Sequence, residues 1–262
     1  MNWWANLFPG RRPAAYASPA PESAPAQLPA RPVAELLALL KPHERTAWLP
    51  RTVAEDHGAA ASKFGGMALV SAEYPAPDCP CCGQPLPLFV QLNPQDLPAE
   101  VAPKLRGQML QLFYCVNEAC EPWRTGFLSQ IVRLVPIQEP VAGALPVVSL
   151  PCQSIVGWQD HSEPPHPYEW AGLGVHVGDD ESELLEESGH YRCTGCDKLG
   201  GWSYWIQDLE HAVCPHCKTD MDVLFQLASE DHLPYMFGDA GIGHIYQCPL
   251  HPAELGFNWS CS

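Results

Sequence analysis

One register recurs along this chain, and it limits the fold more than any other feature. Ser62-Lys63-Phe64-Gly65-Gly66 returns as Asp197-Lys198-Leu199-Gly200-Gly201, 135 positions later. The same step carries Cys79-Pro80-Cys81-Cys82 onto Cys214-Pro215-His216-Cys217, and Leu86, Phe89, Gln91 and Leu92 onto Met221, Leu224, Gln226 and Leu227. Three landmarks in one ungapped register imply two copies of one structural unit. Further on, Gly107 to Cys115 runs parallel to Gly241 to Cys248, the step falling to 133 at the cysteines, as a two-residue loop difference would produce.

Both copies read as strands. Pro87 to Leu92, Asp222 to Leu227, Leu110 to Cys115 and His244 to Gln247 are short apolar runs bounded by Pro, Asp, Ser or Gly, and Thr125 to Val135 adds another in the first copy. Short strands with Pro/Gly turns predict a mainly β (α+β) protein, with internally duplicated antiparallel units in a pseudo-two-fold arrangement. The expected organisation is a disordered Ala/Pro-rich tail over 1–32, a helical lead-in over 33–60, β repeat one over 61–135, a linker with an acidic segment over 136–190 and β repeat two over 191–262. Within the lead-in, Val33 to Leu40 has helical periodicity that stops near Pro42, and Trp48 to Asp56 is read as a second short helix. The acidic run 179–187 is read as a solvated helix face.

Composition narrows the function. Thirty Asp and Glu against fourteen Lys and Arg leave a formal charge of −16, which repels phosphate backbones and attracts a basic protein partner. Nucleic-acid binding is therefore not expected. No segment approaches the roughly 18 apolar residues a membrane helix needs. Met1 to Pro32 lacks the charge order of a signal peptide, because Arg11 and Arg12 follow the apolar residues. A cytoplasmic protein is expected, and in that compartment twelve cysteines point to metal or redox chemistry rather than structural disulfides.

The cysteine spacing selects metal. Cys79-x2-Cys82 followed by Cys115-x4-Cys120, and Cys214-x2-Cys217 followed by Cys248-x2-His251, each offer a close pair from one turn and a second pair from a neighbouring strand. Four such ligands complete a tetrahedron around Zn²⁺, so two structural, zinc-knuckle-like sites are expected, closed to substrate. An alternative second site pairs Cys193 and Cys196 with Cys214 and Cys217; its spacing also suits zinc, but the pair has no counterpart in the first copy, where Gly58 and Ala61 stand. Cys152 and Cys261 read as small hydrophobes, and Cys81 and His216 as turn residues. Lys63 and Lys198, ahead of their Gly-Gly pairs, read as turn caps that bond carbonyls. Cys-Pro-His-Cys also occurs in strong thiol oxidants, so thiol–disulfide exchange at Cys214 and Cys217 is a competing function; the following sequence, however, reads as a turn and a strand rather than the helix that lowers a thiol pKa. No other catalytic signature occurs, and the chain is not expected to be an enzyme.

The segments SKFGG, CPCCGQPLPLFVQLNPQDLP, GQMLQLFYC, DKLGGW, CPHCKTDMDVLFQ, YMFGDAGIGHIYQCPLH and FNWSCS resemble the bacterial YwqG family, a domain of unknown function, which is similar in turn to the eukaryotic programmed cell death protein 2 family. The resemblance runs from about Ser62 to the C-terminus. It implies a duplicated β-rich fold, no established catalysis, and ligand roles for Cys79, Cys82, Cys115, Cys120, Cys214, Cys217 and Cys248, with His251 where a thiol is often found. The eukaryotic relatives act as chaperones for a basic ribosomal protein, and some bacterial relatives sit in toxin–immunity settings. The expected function is thus a zinc-stabilised protein-interaction module, a chaperone or adaptor for a basic client, with an immunity protein as a further alternative.

Overall fold

Antiparallel pairing organises the chain around two long strands that share their whole length. In the computed structural model, which describes residues 30–121, 129–140 and 149–262, β1 (Arg45–Val53) pairs with β6 (Gln153–Glu163) from Arg45↔Glu163 to Val53↔Ser154. On the β6 side follow β2 (Lys63–Phe64), β3 (Leu88–Leu92), β4 (Gln108–Tyr114) and β5 (Gln130–Pro136). On the β1 side follow β7 (Lys198–Gly200), β8 (Asp222–Ala228), β9 (Ile242–Gln247) and β10 (Leu255–Ser260). The order β10-β9-β8-β7-β1-β6-β2-β3-β4-β5 makes one antiparallel sheet, and its end strands β5 and β10 pack against one another, so the sheet curls into a nearly closed barrel.

The inner face explains why the strands read as apolar runs. Phe64, Phe89, Leu110, Leu112 and Tyr114 from one side meet Leu199, Phe225, Ile245, Phe257 and Trp259 from the other in one cluster. Trp259 Nε1 donates to the Tyr114 hydroxyl at 2.8 Å, so a buried polar pair crosses that cluster with its donor satisfied. The opposite face of β4 is also covered: Met109 packs with Leu69 and Val135, and Phe113 with Leu86 and Leu88. Both faces of β4 are therefore buried.

The helices lie together. α1 (Val33–Leu40) and α2 (Asp179–Glu187) bury Leu36, Leu40 and Leu185 against Trp170 and Val175, and Arg31 forks onto Glu181 at 2.6 and 2.9 Å. None of the described helices is long and apolar enough to cross a membrane.

Two sequence expectations are corrected. Trp48 to Asp56 is not a second helix; β1 occupies Arg45–Val53. Trp48, Thr52 and Val53 suit a pleated surface, and a place between β6 and β7 outweighs weak local helix preference. Residues 136–190 are not simply a linker, because they carry β6, the longest strand at 11 residues. Polar Ser154, Gln159, Asp160 and His161 interrupt its apolar pattern, since much of β6 is only half-buried. The acidic run does form a helix, with Leu185 buried beneath it. The expected tail to residue 29, the segment 125–128 and Val147-Val148 lie outside the described residues.

Candidate metal centres

Each cluster starts in a turn pinned by a backbone bond back to its first cysteine. In the first, Gly83 N donates to Cys79 O at 2.8 Å and Cys79 N to Gln84 O at 2.7 Å, with Gly83 at φ +69. In the second, Lys218 N donates to Cys214 O and Cys214 N to Thr219 O, both at 3.0 Å, with Lys218 at φ +61. The turn needs a left-handed residue; glycine takes it freely and lysine against a steric cost. The second pair comes from the strand beyond: Cys115 follows β4 and Cys248 follows β9. Cys120 closes a 3-10 turn capped by Asn117, whose side chain accepts from Ala119 N, and His251 N donates to Cys248 Sγ at 3.3 Å.

The four ligand atoms of each cluster lie within 4.8 Å of one another. In the first, Cys79 Sγ is 3.9 Å from Cys120 Sγ, and Cys82 Sγ 4.0 Å from Cys115 Sγ. In the second, Cys217 Sγ is 3.5 Å from Cys248 Sγ, and His251 Nδ1 lies 3.7 Å from Cys214 Sγ and 3.6 Å from Cys248 Sγ. A tetrahedron with Zn–S bonds of about 2.3 Å has edges of roughly 3.8 Å, so the spacing and the soft donor set both fit. A disulfide needs about 2.05 Å, and the atoms converge in fours rather than in pairs.

Surroundings differ between the clusters. Leu86, Leu88 and Phe113 wall the first; Trp205, Met221 and Tyr246 wall the second. Burial works against the Cys79 thiolate, but bonds from Ser129, the backbone at Cys82 and Cys81, and Cys115 outweigh it and bring the thiol to about 6. Bonds from the Thr219 hydroxyl and backbone bring Cys217 to about 6 as well, whereas burial pushes Cys115 up to about 11. Each cluster thus already favours one thiolate.

The eight residues of the repeat-consistent reading, Cys79, Cys82, Cys115, Cys120, Cys214, Cys217, Cys248 and His251, are brought together in these two groups. The alternative pair is not: Cys193 Sγ donates to Ser203 O at 3.8 Å, and the Cys196 carbonyl accepts Gln226 Nε2 at 2.8 Å. Cys81 is exposed, and His216 faces Glu254 at 3.0 Å. Cys152 and Cys261, half-buried, pack on Gly66 and Gly238. Cys214-Pro215-His216-Cys217 lies in a turn, followed by the strand β8 rather than a helix.

A polar network surrounds each of the buried lysines Lys63 and Lys198. Lys63 Nζ donates to Gly58 O and Asp56 Oδ1, both at 2.8 Å, and Gln91 Nε2 to Ala59 O and Ala61 O at 2.8 and 2.9 Å. Across the barrel, Lys198 Nζ donates to Thr194 O at 2.8 Å and Glu163 Oε1 at 2.6 Å, and Gln226 Nε2 to Thr194 O and Cys196 O at 3.1 and 2.8 Å. Both lysines do bond carbonyls, as their position before Gly-Gly suggested. The carboxylate partners, Asp56 in the loop after β1 and Glu163 at the end of β6, were not visible in the repeat.

One histidine joins the halves. His232 stacks on Phe64, centroids 4.8 Å apart, while its Nδ1 meets Asp197 Oδ2 at 2.9 Å and Asp231 Oδ1 at 3.5 Å. Burial disfavours the imidazolium, but Asp197 and Asp231 outweigh it and raise its pKa above the ordinary 6.5. The folded state then holds this proton more tightly than the unfolded chain. The associated stability is present below about 6.5 and is lost as pH rises through the raised value. Urea unfolding of His232→Gln should show a flatter fall in stability than the wild type from pH 6.5 upward; equal slopes would remove His232 from the account.

Fold and clusters together define a mainly antiparallel β protein with two closed, thiolate-rich four-residue centres. Residues 62–247 match the family described as Domain of unknown function (DUF1963), and the chain belongs to that family. No curated protein matches the chain.

Proposed function

We propose that this protein is a non-catalytic, zinc-stabilised protein-interaction module, a cytoplasmic chaperone or adaptor for a basic client. It would consist of two copies of one β unit, whose lead strands β1 and β6 are exchanged so that each pairs with the other copy's sheet. YwqG-like membership, and a distant relation to the programmed cell death protein 2 family, belong to the same proposal. The observation that carries it is the pair of matched clusters. Each offers four soft ligands at tetrahedral spacing, largely buried, with no position left for a substrate. Such centres secure turns that short β units cannot hold alone. The formal charge of −16 supports a basic client.

Elemental analysis of the purified protein is expected to give about two zinc ions per chain. Affinity capture at low and high salt is expected to return a protein partner that salt releases. A folded, metal-free protein with no salt-sensitive partner would remove the proposal.

A further inference from the structure

The face of the central strand pair that carries Trp48 opens into a trough. Trp48 pairs with Asp160 and Pro50 with Trp158, so Trp48, Trp158 and Asp160 project from one face. The loop around Asp96 to Glu100 forms the opposite wall, tied down where Trp158 Nε1 donates to Asp96 O at 2.7 Å. Between them lies a cavity of about 530 Å³ lined by these two tryptophans, by Asp96, Glu100 and Asp160, and by no lysine or arginine. Asp96 spends one oxygen on Ser62 N; the carboxylates of Glu100 and Asp160, both exposed, make no hydrogen bond or ion pair among the described residues. Trp48 and Glu100 also line an adjoining cavity of about 380 Å³, which continues to Asp220 and Asp222 and is lined by Arg45 and Lys104 as well.

That second cavity shows how a guanidinium sits in this setting. Arg45 lies 3.4 Å from the centroid of the Trp202 ring. Aromatic faces attract cations through the ring quadrupole, and a planar guanidinium can stack on a ring while its edge forks onto a carboxylate. The first cavity offers two such rings and three carboxylates without a resident cation.

We propose that this trough binds an extended, arginine-bearing segment of a partner protein, with a guanidinium seated between Trp48 and Trp158 and held by Glu100 and Asp160. The charge of the lining and the match between rings, carboxylates and guanidinium carry the assignment. It rests on the interaction-module reading above and adds the place and the side chain recognised.

The test uses the full-length protein and a fluorescein-labelled octapeptide of alternating glycine and arginine, followed by fluorescence anisotropy. The double variant Glu100→Gln, Asp160→Asn changes only exposed side chains. It should weaken binding about tenfold and reduce its salt dependence. Replacing every arginine of the peptide by citrulline should abolish binding to the wild type. The variant Glu183→Gln, Glu187→Gln, which removes the same charge from α2, should bind like the wild type. If both double variants weaken binding equally, the general field of the protein holds the peptide and the trough is overturned. Unchanged affinity in the trough variant, or no binding of the peptide to the folded wild type, overturns it too. In either case a salt-sensitive partner recovered by capture would leave the module reading standing, so the two failures are distinguishable.

Discussion

Glu163→Gln is expected to destabilise the protein by about 3–5 kcal/mol, the usual cost of breaking one side of a buried ion pair. Both Glu163 and Lys198 are fully buried. The carboxylate is saturated with donors: Oε1 accepts Lys198 Nζ at 2.6 Å, Thr194 N at 2.7 Å and Thr194 Oγ1 at 2.9 Å, and Oε2 accepts Trp202 N at 2.8 Å. An amide has one acceptor oxygen. Turned either way, its NH₂ group faces a donor, and Lys198 keeps a buried charge without a counter-ion. Domain stabilities are about 5–15 kcal/mol, so this one substitution removes a large part of the total. Asp56→Asn, the matching change beside Lys63, should cost clearly less, because Asp56 is 44% exposed and water reaches its side of the pair even though Lys63 is itself buried. Urea denaturation of the two variants checks the ranking. Glu163→Gln combined with Lys198→Met should recover much of the loss, as replacing a whole buried pair often does. Equal effects at Glu163 and Asp56 would mean that burial does not set the strength of these pairs.

The contrast between the two lysines shows what was legible in the sequence and what was not. The repeated register placed Lys63 and Lys198, Gln91 and Gln226, and six of the cluster residues, because each belongs to a local turn or to a strand with an unbroken apolar run; Cys120 and His251 fall outside that register and were found by ligand spacing. β3, β4, β8 and β9 were readable for the same reason: both their faces are largely buried. The central strands were not. β1 contains Pro50 and β6 alternates with Ser154, Asp160 and His161, so neither shows the apolar signature. What makes them strands is their long pairing with one another, with β7 adding to β1 and β2 to β6 on the outer sides. The same long-range step supplies Glu163 to Lys198, 35 positions away, and His232 to Phe64. Partners recruited across the barrel leave no trace at short spacing. The choice between Cys248 with His251 and Cys193 with Cys196 was open on zinc spacing alone. The structure brings the first pair to Cys214 and Cys217, because β8 and β9 are hydrogen-bonded neighbours and Cys248 follows directly from β9.

If the two clusters hold metal as proposed, their loss should be visible by different means. Cys214 is fully buried and stands against Trp205, itself 2% exposed, together with Met221 and Tyr246. Chelation, or Cys214→Ser, frees the turn 214–218 and the segment 248–251, which together cover that tryptophan. Tryptophan emission should then shift to the red. Cys79→Ser frees a cluster walled by Leu86, Leu88 and Phe113, with no tryptophan among the described residues, so the same loss of metal should leave the Trp205 part of the red shift absent. Both variants should nonetheless lose stability heavily. Structural zinc contributes about 10–16 kcal/mol of apparent binding energy in small peptides, and even a fraction of that exceeds what one turn can gain from its backbone bonds. The aromatic core inside the barrel forms a packing cluster of its own, so far-ultraviolet circular dichroism should retain β signal while the melting temperature falls by 10 °C or more, on the order of 2–4 °C per kcal/mol for a chain of this size. Unaltered melting in Cys79→Ser and Cys214→Ser, in a protein purified without metal, would show that four converging thiol and imidazole groups can pack as ordinary buried side chains. The pair of clusters would then lose its place as the support of the fold.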